Sequence, residues 1–271
     1  RDFRPVVPAD RADQAGAELA LRGHHGGDPN ALRVGAELTV RGEAGTDVTL
    51  TIRRGGTELD ITITRAVIEL QEVNSELLED GIGYIRLTSF TDRATGLLRD
   101  ALASLIDQGA TGIVLDLRGN PGGLLNSAVD VSSLWLKKGE TVLQEKRGGV
   151  VIDTKFATGN NLMHGMPTAV LINEGSASAS EILAGALKDN KAATIFGVKS
   201  FGKGSVQEIK SLPGSSAGEL KVTIARWYRP SGENIDKKGI NPDTEVKMAE
   251  EDYSQNRDPQ KDAAINFIKN R

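Results

Sequence analysis

The sequence predicts a layered α/β core that follows a small β domain. Two apolar runs, 112–117 and 168–173, indicate strands that are buried on both faces. Each runs into a turn of small residues and then into a helix, over about 124–135 and 180–188. Strand–turn–helix units that repeat in this way are typical of a sheet covered by helices, which is a layered α/β architecture.

A hairpin marks the small β domain. Residues 47–53 and 58–64 alternate between polar and apolar side chains with the period of a β-strand, and Gly55 and Gly56 between them favour a tight turn. The residues before the hairpin show no period of a strand or a helix. We expect the hairpin to close a first domain that covers residues 1–66.

The middle of the chain, 67–247, is predicted to form the core, and the polar tail, 248–271, to form a short helix on the surface. Four apolar residues lie on one face of a helix that ends at Gly109: Leu98, Leu102, Leu105 and Ile106. Further strands are predicted at 83–87, 193–197 and 221–227, with a hairpin turn at Gly148 and Gly149.

The composition excludes several classes of function. The 271 residues are 38% hydrophobic and 26% charged, which is typical of a globular domain. A net charge of −4 argues against a nucleic-acid partner, because such proteins need a basic surface to track phosphates. No apolar run approaches the ~18 residues of a membrane span, and no basic-then-apolar start suggests a signal peptide. We therefore expect neither in this sequence.

Metal and thiol chemistry are also not expected. The chain has no cysteine, which excludes disulfides and a cysteine nucleophile, and it has three histidines. His24 and His25 are adjacent and so do not share one ligand face, and His164 lies in a loop where a surface or packing role is the simpler explanation. We expect no metal and no cofactor.

The turn after the second buried strand carries a candidate nucleophile. Segment 175–181 contains only small residues before Glu181, and it joins a strand to a helix. A serine held there, Ser178, is accessible, and the N–H of Ala179 at the start of the helix can face an oxyanion. The same letters also fit a capping box of Ser178 and Glu181 with no catalytic role, and this stretch alone favours the cap.

A lysine between two glycines is the candidate base. Lys203 lies just before a predicted strand, and Gln207 follows four residues later, where it could hold the amine. An exposed surface lysine is the alternative interpretation. A lysine acts as a base only when apolar surroundings lower its pKa, and Ile195, Phe196 and Phe201 are suitable walls.

The glycine-rich turn at 116–123 offers a second oxyanion donor. Gly122 and Gly123 follow a buried strand, and paired glycines can expose a backbone N–H. A structural turn explains the glycines equally well. The turn lacks the G-K-[ST] ending of a phosphate-binding loop.

Together these segments resemble the carboxyl-terminal processing peptidases, also called tail-specific proteases. The matching stretches are GIGYIRLTSF at 81–90, LDLRGNPGGLL at 115–125, GSASASEI at 175–182, FGKGSVQ at 201–207, WYRPSG at 227–232 and KGINPD at 238–243. The resemblance implies a protease core of crotonase- and Clp-protease-like ββα units, and a serine-type peptidase that works through an acyl-enzyme.

The resemblance also assigns roles to positions. Ser178 would be the nucleophile, Lys203 the general base and Gln207 the residue that supports the lysine. The oxyanion donors would be the N–H of Ala179 and that of Gly122 or Gly123, with Gly122 preferred.

In this family a PDZ domain binds the free C-terminus of the substrate by strand addition. Segments 12–16 and 41–65 resemble parts of a PDZ domain, but 21–27 replaces the apolar strand between them, so an incomplete PDZ-like domain is predicted. The resemblance implies a protein or peptide substrate with an accessible C-terminal tail and a place in the cell envelope or periplasm. It also allows a homo-oligomer built through segments outside this sequence.

Two other functions compete with this interpretation. A catalytically silent peptide-binding scaffold could share the fold, although the intact Ser178, Lys203 and Gln207 argue against it. An acyl-CoA hydratase that uses only an oxyanion hole shares the layered core, but gives no role to Lys203 or Gln207.

Overall fold

The computed structural model describes residues 17–19, 42–54, 57–67, 71–211 and 219–271. His24, His25 and the segments 12–16 and 21–27 lie outside these ranges. The chain forms two compact units, Arg1–Leu70 and Gln71–Arg271. In the part of the chain that the structure describes, no helix is long and apolar enough to cross a membrane.

The first unit contains a three-stranded antiparallel sheet with the order β1-β2-β3. Its strands are β1 (Ala17–Leu19), β2 (Asp47–Arg54) and β3 (Thr57–Thr64). The predicted hairpin is therefore present as β2 and β3. Its polar face is joined by cross-strand hydrogen bonds, among them Thr49 to Thr62 at 3.0 Å.

The second unit is built on a six-stranded mixed sheet with the order β13-β10-β9-β6-β5-β4. All neighbours run parallel except the β4–β5 pair. The strands are β4 (Val73–Leu77), β5 (Ile82–Leu87), β6 (Gly112–Asp116), β9 (Thr168–Ile172), β10 (Thr194–Gly197) and β13 (Thr244–Glu245). Every residue of β6 and β9 is buried, as expected for central strands of a parallel sheet.

A four-stranded antiparallel sheet with the order β11-β12-β7-β8 completes the β structure of the second unit. Its strands are β7 (Thr141–Arg147), β8 (Val150–Phe156), β11 (Ser205–Ser211) and β12 (Glu219–Tyr228). The β7–β8 pair is the hairpin predicted at Gly148 and Gly149, both of which have positive φ.

The second unit has five helices among its described residues: α1 (Ala94–Asp107), α2 (Leu125–Ser132), α3 (Ala179–Asp189), α4 (Glu250–Ser254) and α5 (Pro259–Lys269). In α1, Leu98, Leu102 and Leu105 are buried on one face, as their spacing predicts. The α-helix α2 ends before the predicted residue 135, where the Ser132 and Ser133 hydroxyls bond carbonyls one turn back.

The polar tail is helical, as its composition predicts, but it forms two helices instead of one. It contains α4 and α5, and α5 buries Ala264 and Ile268 against the six-stranded sheet. Only three residues of α5 are buried, so the apolar stripe is too narrow for the composition of the segment to reveal it.

The sheet order explains how distant segments meet. Strands β6, β9 and β10 are adjacent and parallel, so their carboxyl ends lie at one edge of the sheet. The glycine turn follows β6, the serine turn follows β9 and the lysine segment follows β10. Ligands and catalytic groups of parallel α/β sheets gather at this edge.

Candidate active site

Ser178 lies in a strained backbone conformation at the junction of β9 and α3. Its φ is 55° and its ψ is −113°, outside the regions that a residue with a side chain normally adopts. Such a conformation costs about 1–3 kcal/mol and persists only where the surroundings enforce it. Ser178 itself is partly accessible, whereas Ala177 and Ala179 on either side are buried.

Asn120 in the glycine turn holds the serine turn in place. Its carbonyl accepts hydrogen bonds from Ala177 N at 3.0 Å and from Ser180 Oγ at 2.9 Å. Its buried side chain donates to Leu87 O and accepts from Gly122 N, each at 2.8 Å. These bonds fix the two turns to each other on both sides of Ser178.

Ser178 and Glu181 are arranged as the predicted capping box. The Glu181 carboxylate accepts a hydrogen bond from Ser178 N at 2.9 Å, while the Ser178 hydroxyl makes no side-chain hydrogen bond of ordinary geometry at the cap. The glutamate therefore contributes the stronger part of the capping of the first turn.

The same carboxylate joins the serine turn to the lysine segment. Glu181 is fully buried and accepts from Ser200 Oγ at 2.6 Å, Gly202 N at 2.7 Å and Lys203 N at 2.9 Å. One side chain thus bonds the backbone N–H groups of both Ser178 and Lys203. Because these partners lie far apart in the sequence, no local sequence pattern predicts this link.

The backbone of Lys203 is tightly held on both sides. Gly202 has a φ of 94°, and a Cβ there would lie 2.8 Å from Gly239 N, so only glycine fits. Trp227 Nε1 donates to Lys203 O at 2.8 Å. The lysine side chain is partly buried, and among the described residues no hydrogen bond joins its amine to the Ser178 hydroxyl.

Two of the three apolar residues that were expected to surround Lys203 lie elsewhere. Phe196 points to the opposite face of the sheet, where its ring packs 5.2 Å from that of Phe267. Phe201 is 65% exposed. Ile195 is buried in the main core. Gln207 belongs to β11, and its side chain lies outside the described part of the structure, so its support of the lysine stays a prediction.

Backbone N–H groups of the serine turn and the glycine turn are candidate oxyanion donors. Among the described residues, none accepts a hydrogen bond from the amide of Ala179 or from that of Gly123. Gly122, the preferred donor in the sequence, lies next to Ser178 and Ala179, but its amide donates to Asn120 Oδ1 at 2.8 Å. Which of the two glycines would be the second donor stays a prediction.

Gly123→Ala is expected to destabilise the protein. The φ of Gly123 is 151°, and a Cβ there would lie 2.2 Å from the carbonyl oxygen of Phe90. Urea unfolding should show a loss of more than about 1 kcal/mol. The control is Gly96→Ala in α1, where a Cβ meets nothing within 4 Å and the gain should be up to about 1 kcal/mol. Equal stability of the two variants would contradict this geometry.

His164 is remote from these groups. It is exposed and precedes β9, whereas Ser178 follows the other end of that strand. It lines a separate cavity of about 380 Å³ together with Trp135 and Asn190. This position gives His164 no role at the candidate site.

A serine in a strained elbow at a strand–helix junction is a geometry found in hydrolases that use a serine nucleophile. Residues 81–246 match the model of peptidase family S41. The chain belongs to this family.

Named relatives agree with this assignment. The chain is 45% identical over 211 residues to a carboxy-terminal-processing protease of Bartonella bacilliformis, covering 76% of this chain and 48% of the relative. It is 40% identical over 212 residues to the carboxy-terminal processing protease CtpA of Bacillus subtilis, covering 78% of this chain and 44% of the relative. The chain thus spans slightly less than half the length of these relatives.

Solved structures show the same fold. The photosystem II D1 C-terminal processing protease superimposes with a TM-score of 0.65 at 33% identity, covering 76% of this chain and 57% of that one. An S41 protease of Bacteroides fragilis superimposes with a TM-score of 0.64 over 98% of this chain and 77% of that one. At 19% identity, the second likeness supports the fold alone.

Proposed function

We propose that this chain is the catalytic part of a serine peptidase that acts near the C-termini of proteins, with Ser178 as the nucleophile and Lys203 as the general base. The observation that carries the proposal is the strained backbone of Ser178 at the start of α3. Strain of this kind at a helix start is typical of an exposed catalytic nucleophile. A serine–lysine dyad is also the mechanism of the family.

The first step forms the acyl-enzyme. Lys203 Nζ takes the proton of the Ser178 hydroxyl while Oγ bonds to the carbonyl carbon of the substrate. The N–H groups of Ala179 and Gly123 stabilise the oxyanion that develops on the carbonyl oxygen. The C–N bond then breaks, and the Lys203 ammonium returns its proton to the leaving amine.

The second step releases the product. A water oxygen attacks the ester carbon and gives one proton to Lys203 Nζ. The bond between the carbon and Ser178 Oγ breaks, and the ammonium returns the proton to Oγ. The acid product leaves and both side chains are restored to their initial states.

The amine and hydroxyl are not hydrogen bonded in this structure, although Glu181 already joins the backbones of the two residues. Catalytic hydrogen bonds often tighten only when substrate is bound. We propose that a bound substrate orders the Lys203 side chain toward Ser178, while the backbone of both residues stays in place.

The substrate class and the cellular location are proposed from similarity to known proteins. The relatives are named as carboxy-terminal processing proteases, which supports a polypeptide substrate with an accessible C-terminus. We propose that the first unit, with its β2–β3 hairpin, is a PDZ-like domain that is incomplete in this sequence. A place in the cell envelope is proposed on the resemblance of the sequence motifs alone.

A serine-directed phosphonate probe tests the proposal. We expect covalent labelling of the wild type at Ser178, located by peptide mass spectrometry, and no labelling of Ser178→Ala. Cleavage of a substrate with an unfolded tail should be faster with a free than with an amidated C-terminus. Labelling at a different serine, or none across the pH range of folding, would instead favour the silent peptide-binding scaffold.

A further inference from the structure

Arg118 links the glycine turn to the C-terminal helix. Its guanidinium is only 16% exposed, and its Nη1 donates to Asp258 Oδ1 at 2.8 Å and to Gln260 Oε1 at 3.0 Å. Its Nη2 donates to Asp258 Oδ2 at 2.7 Å and to Asp116 Oδ2 at 2.6 Å. The Arg118–Asp258 contact therefore has the bidentate geometry that gives the strongest and most directional ion pairs.

Asp116, at the end of β6, also belongs to this hydrogen-bond network. Asp116 is 2% exposed and accepts from Arg118 N at 2.9 Å and from Tyr84 Oη at 2.6 Å. Burial and the negative charge of Asp116 raise the pKa of Tyr84, so the phenol stays a donor. Burial alone would raise the pKa of Asp258, but the hydrogen bonds from Arg118 and from the Lys261 amide outweigh it and lower that pKa.

The helix that supplies Asp258 is firmly seated on the sheet. Its Ala264 and Ile268 are buried against the strands that lead into the catalytic turns. Gly112 at the start of β6 allows this approach, because a Cβ there would lie 2.4 Å from Ile268 Cγ2. Asp258 itself caps α5 by accepting from Lys261 N at 3.0 Å.

Arg118 lies within the glycine turn. It is the second residue after β6 and lies five positions before Gly123, whose N–H is the second oxyanion donor of the proposed function. The hydrogen bonds of Gly119 with Asn173 and of Asn120 with Ser180 hold the turn toward the serine turn, and the bonds of Arg118 hold it toward α5.

We infer that the C-terminal helix α5 is a positioning element of the active site, which holds the oxyanion turn 118–123 through the ion pair of Asp258 with Arg118. This inference rests on the proposed function for its catalytic consequence, but the mechanical link stands on the contacts alone. The helix thus contributes to transition-state binding without touching the substrate.

Asp258→Ser tests the inference with little damage to the helix. Serine is a good N-cap, so α5 keeps its start, but its side chain is too short to bind Arg118. We expect kcat to fall about 10- to 100-fold, since a misplacement of ~1 Å can cost 100-fold, with KM nearly unchanged. The affinity for a peptide boronate, which mimics the tetrahedral intermediate, should fall by a similar factor.

The matched control is Asp80→Asn, which removes the exposed ion pair of α5 with Lys269 at the opposite end of the helix. It should leave kcat and boronate affinity as in the wild type. The effect of Asp258→Ser should also disappear in an Arg118→Met background, because both substitutions remove the same contact.

Amide hydrogen exchange separates this inference from the proposed function. Exchange across 118–123 should accelerate by at least about tenfold in Asp258→Ser and stay unchanged in Asp80→Asn, whether or not the protein cleaves peptides. Wild-type exchange in Asp258→Ser would overturn the inference. Loss of thermal stability with unchanged kcat at a temperature where the variant is folded would also overturn it.

Discussion

Lys203→Met is expected to lower kcat for peptide cleavage by about 10²–10⁴-fold, because this is the typical contribution of general acid–base catalysis. Methionine keeps most of the length and the apolar stem of lysine, and the backbone contacts of Lys203 with Glu181 and Trp227 remain. The thermal unfolding of the variant should therefore match that of the wild type. Steady-state kinetics and labelling of Ser178 by the phosphonate probe measure the effect.

Lys199→Met is the matched control, since this lysine belongs to the same segment and is exposed. It should keep wild-type kcat, and so should His164→Ala. If Lys203→Met keeps most of its activity while His164→Ala loses it, the base is not the lysine. Ser178→Ala, in contrast, should be inactive toward both the substrate and the probe.

Local pattern was enough to predict the framework of the site. The buried strands β6 and β9, the turns that follow them and the helices α2 and α3 depend on runs of apolar residues and on small residues within a few positions of each other. Ser178, Ala179 and Lys203 could be named as candidates from the sequence, but their roles were assigned by the resemblance to a peptidase family and not by the local pattern.

What the sequence could not predict depends on partners far along the chain. The local sequence predicts only that Glu181 belongs to a capping box. Its carboxylate oxygens also accept hydrogen bonds from Gly202 N and Lys203 N, because β9 and β10 are adjacent. The hydrogen bond from the Gly122 amide to Asn120 was also hidden, because no sequence pattern reveals the direction of the asparagine side chain. Phe196 was assigned to the wrong face because a short buried strand gives no clear alternation.

Glu181→Gln is expected to reduce both stability and catalysis. The carboxylate accepts four hydrogen bonds, from Ser178 N, Ser200 Oγ, Gly202 N and Lys203 N. An amide keeps one acceptor oxygen, and its NH₂ group faces donors that it cannot satisfy. With two donors left unpaired in a buried place, the free energy of unfolding should fall by about 2–4 kcal/mol.

The catalytic loss should exceed what reduced stability explains. Because Glu181 bonds the backbones of both Ser178 and Lys203, its replacement should shift the two residues relative to each other. We expect kcat to fall about 100-fold with KM little changed, measured at a temperature where the variant is fully folded. The rate of Ser178 labelling by a small phosphonate should fall in parallel, since it needs the same alignment but no tail binding.

Glu174→Gln provides the comparison, because it removes the same charge from an exposed residue of the loop that follows β9. If it lowered the labelling rate as much as Glu181→Gln, the effect would come from the charge and not from the hydrogen bonds. If Glu181→Gln unfolded more easily but labelled at the wild-type rate, Glu181 would be a stabilising cap alone. A selective loss in Glu181→Gln would establish that one buried carboxylate aligns nucleophile and base, which explains how two residues from separate strand ends are kept aligned.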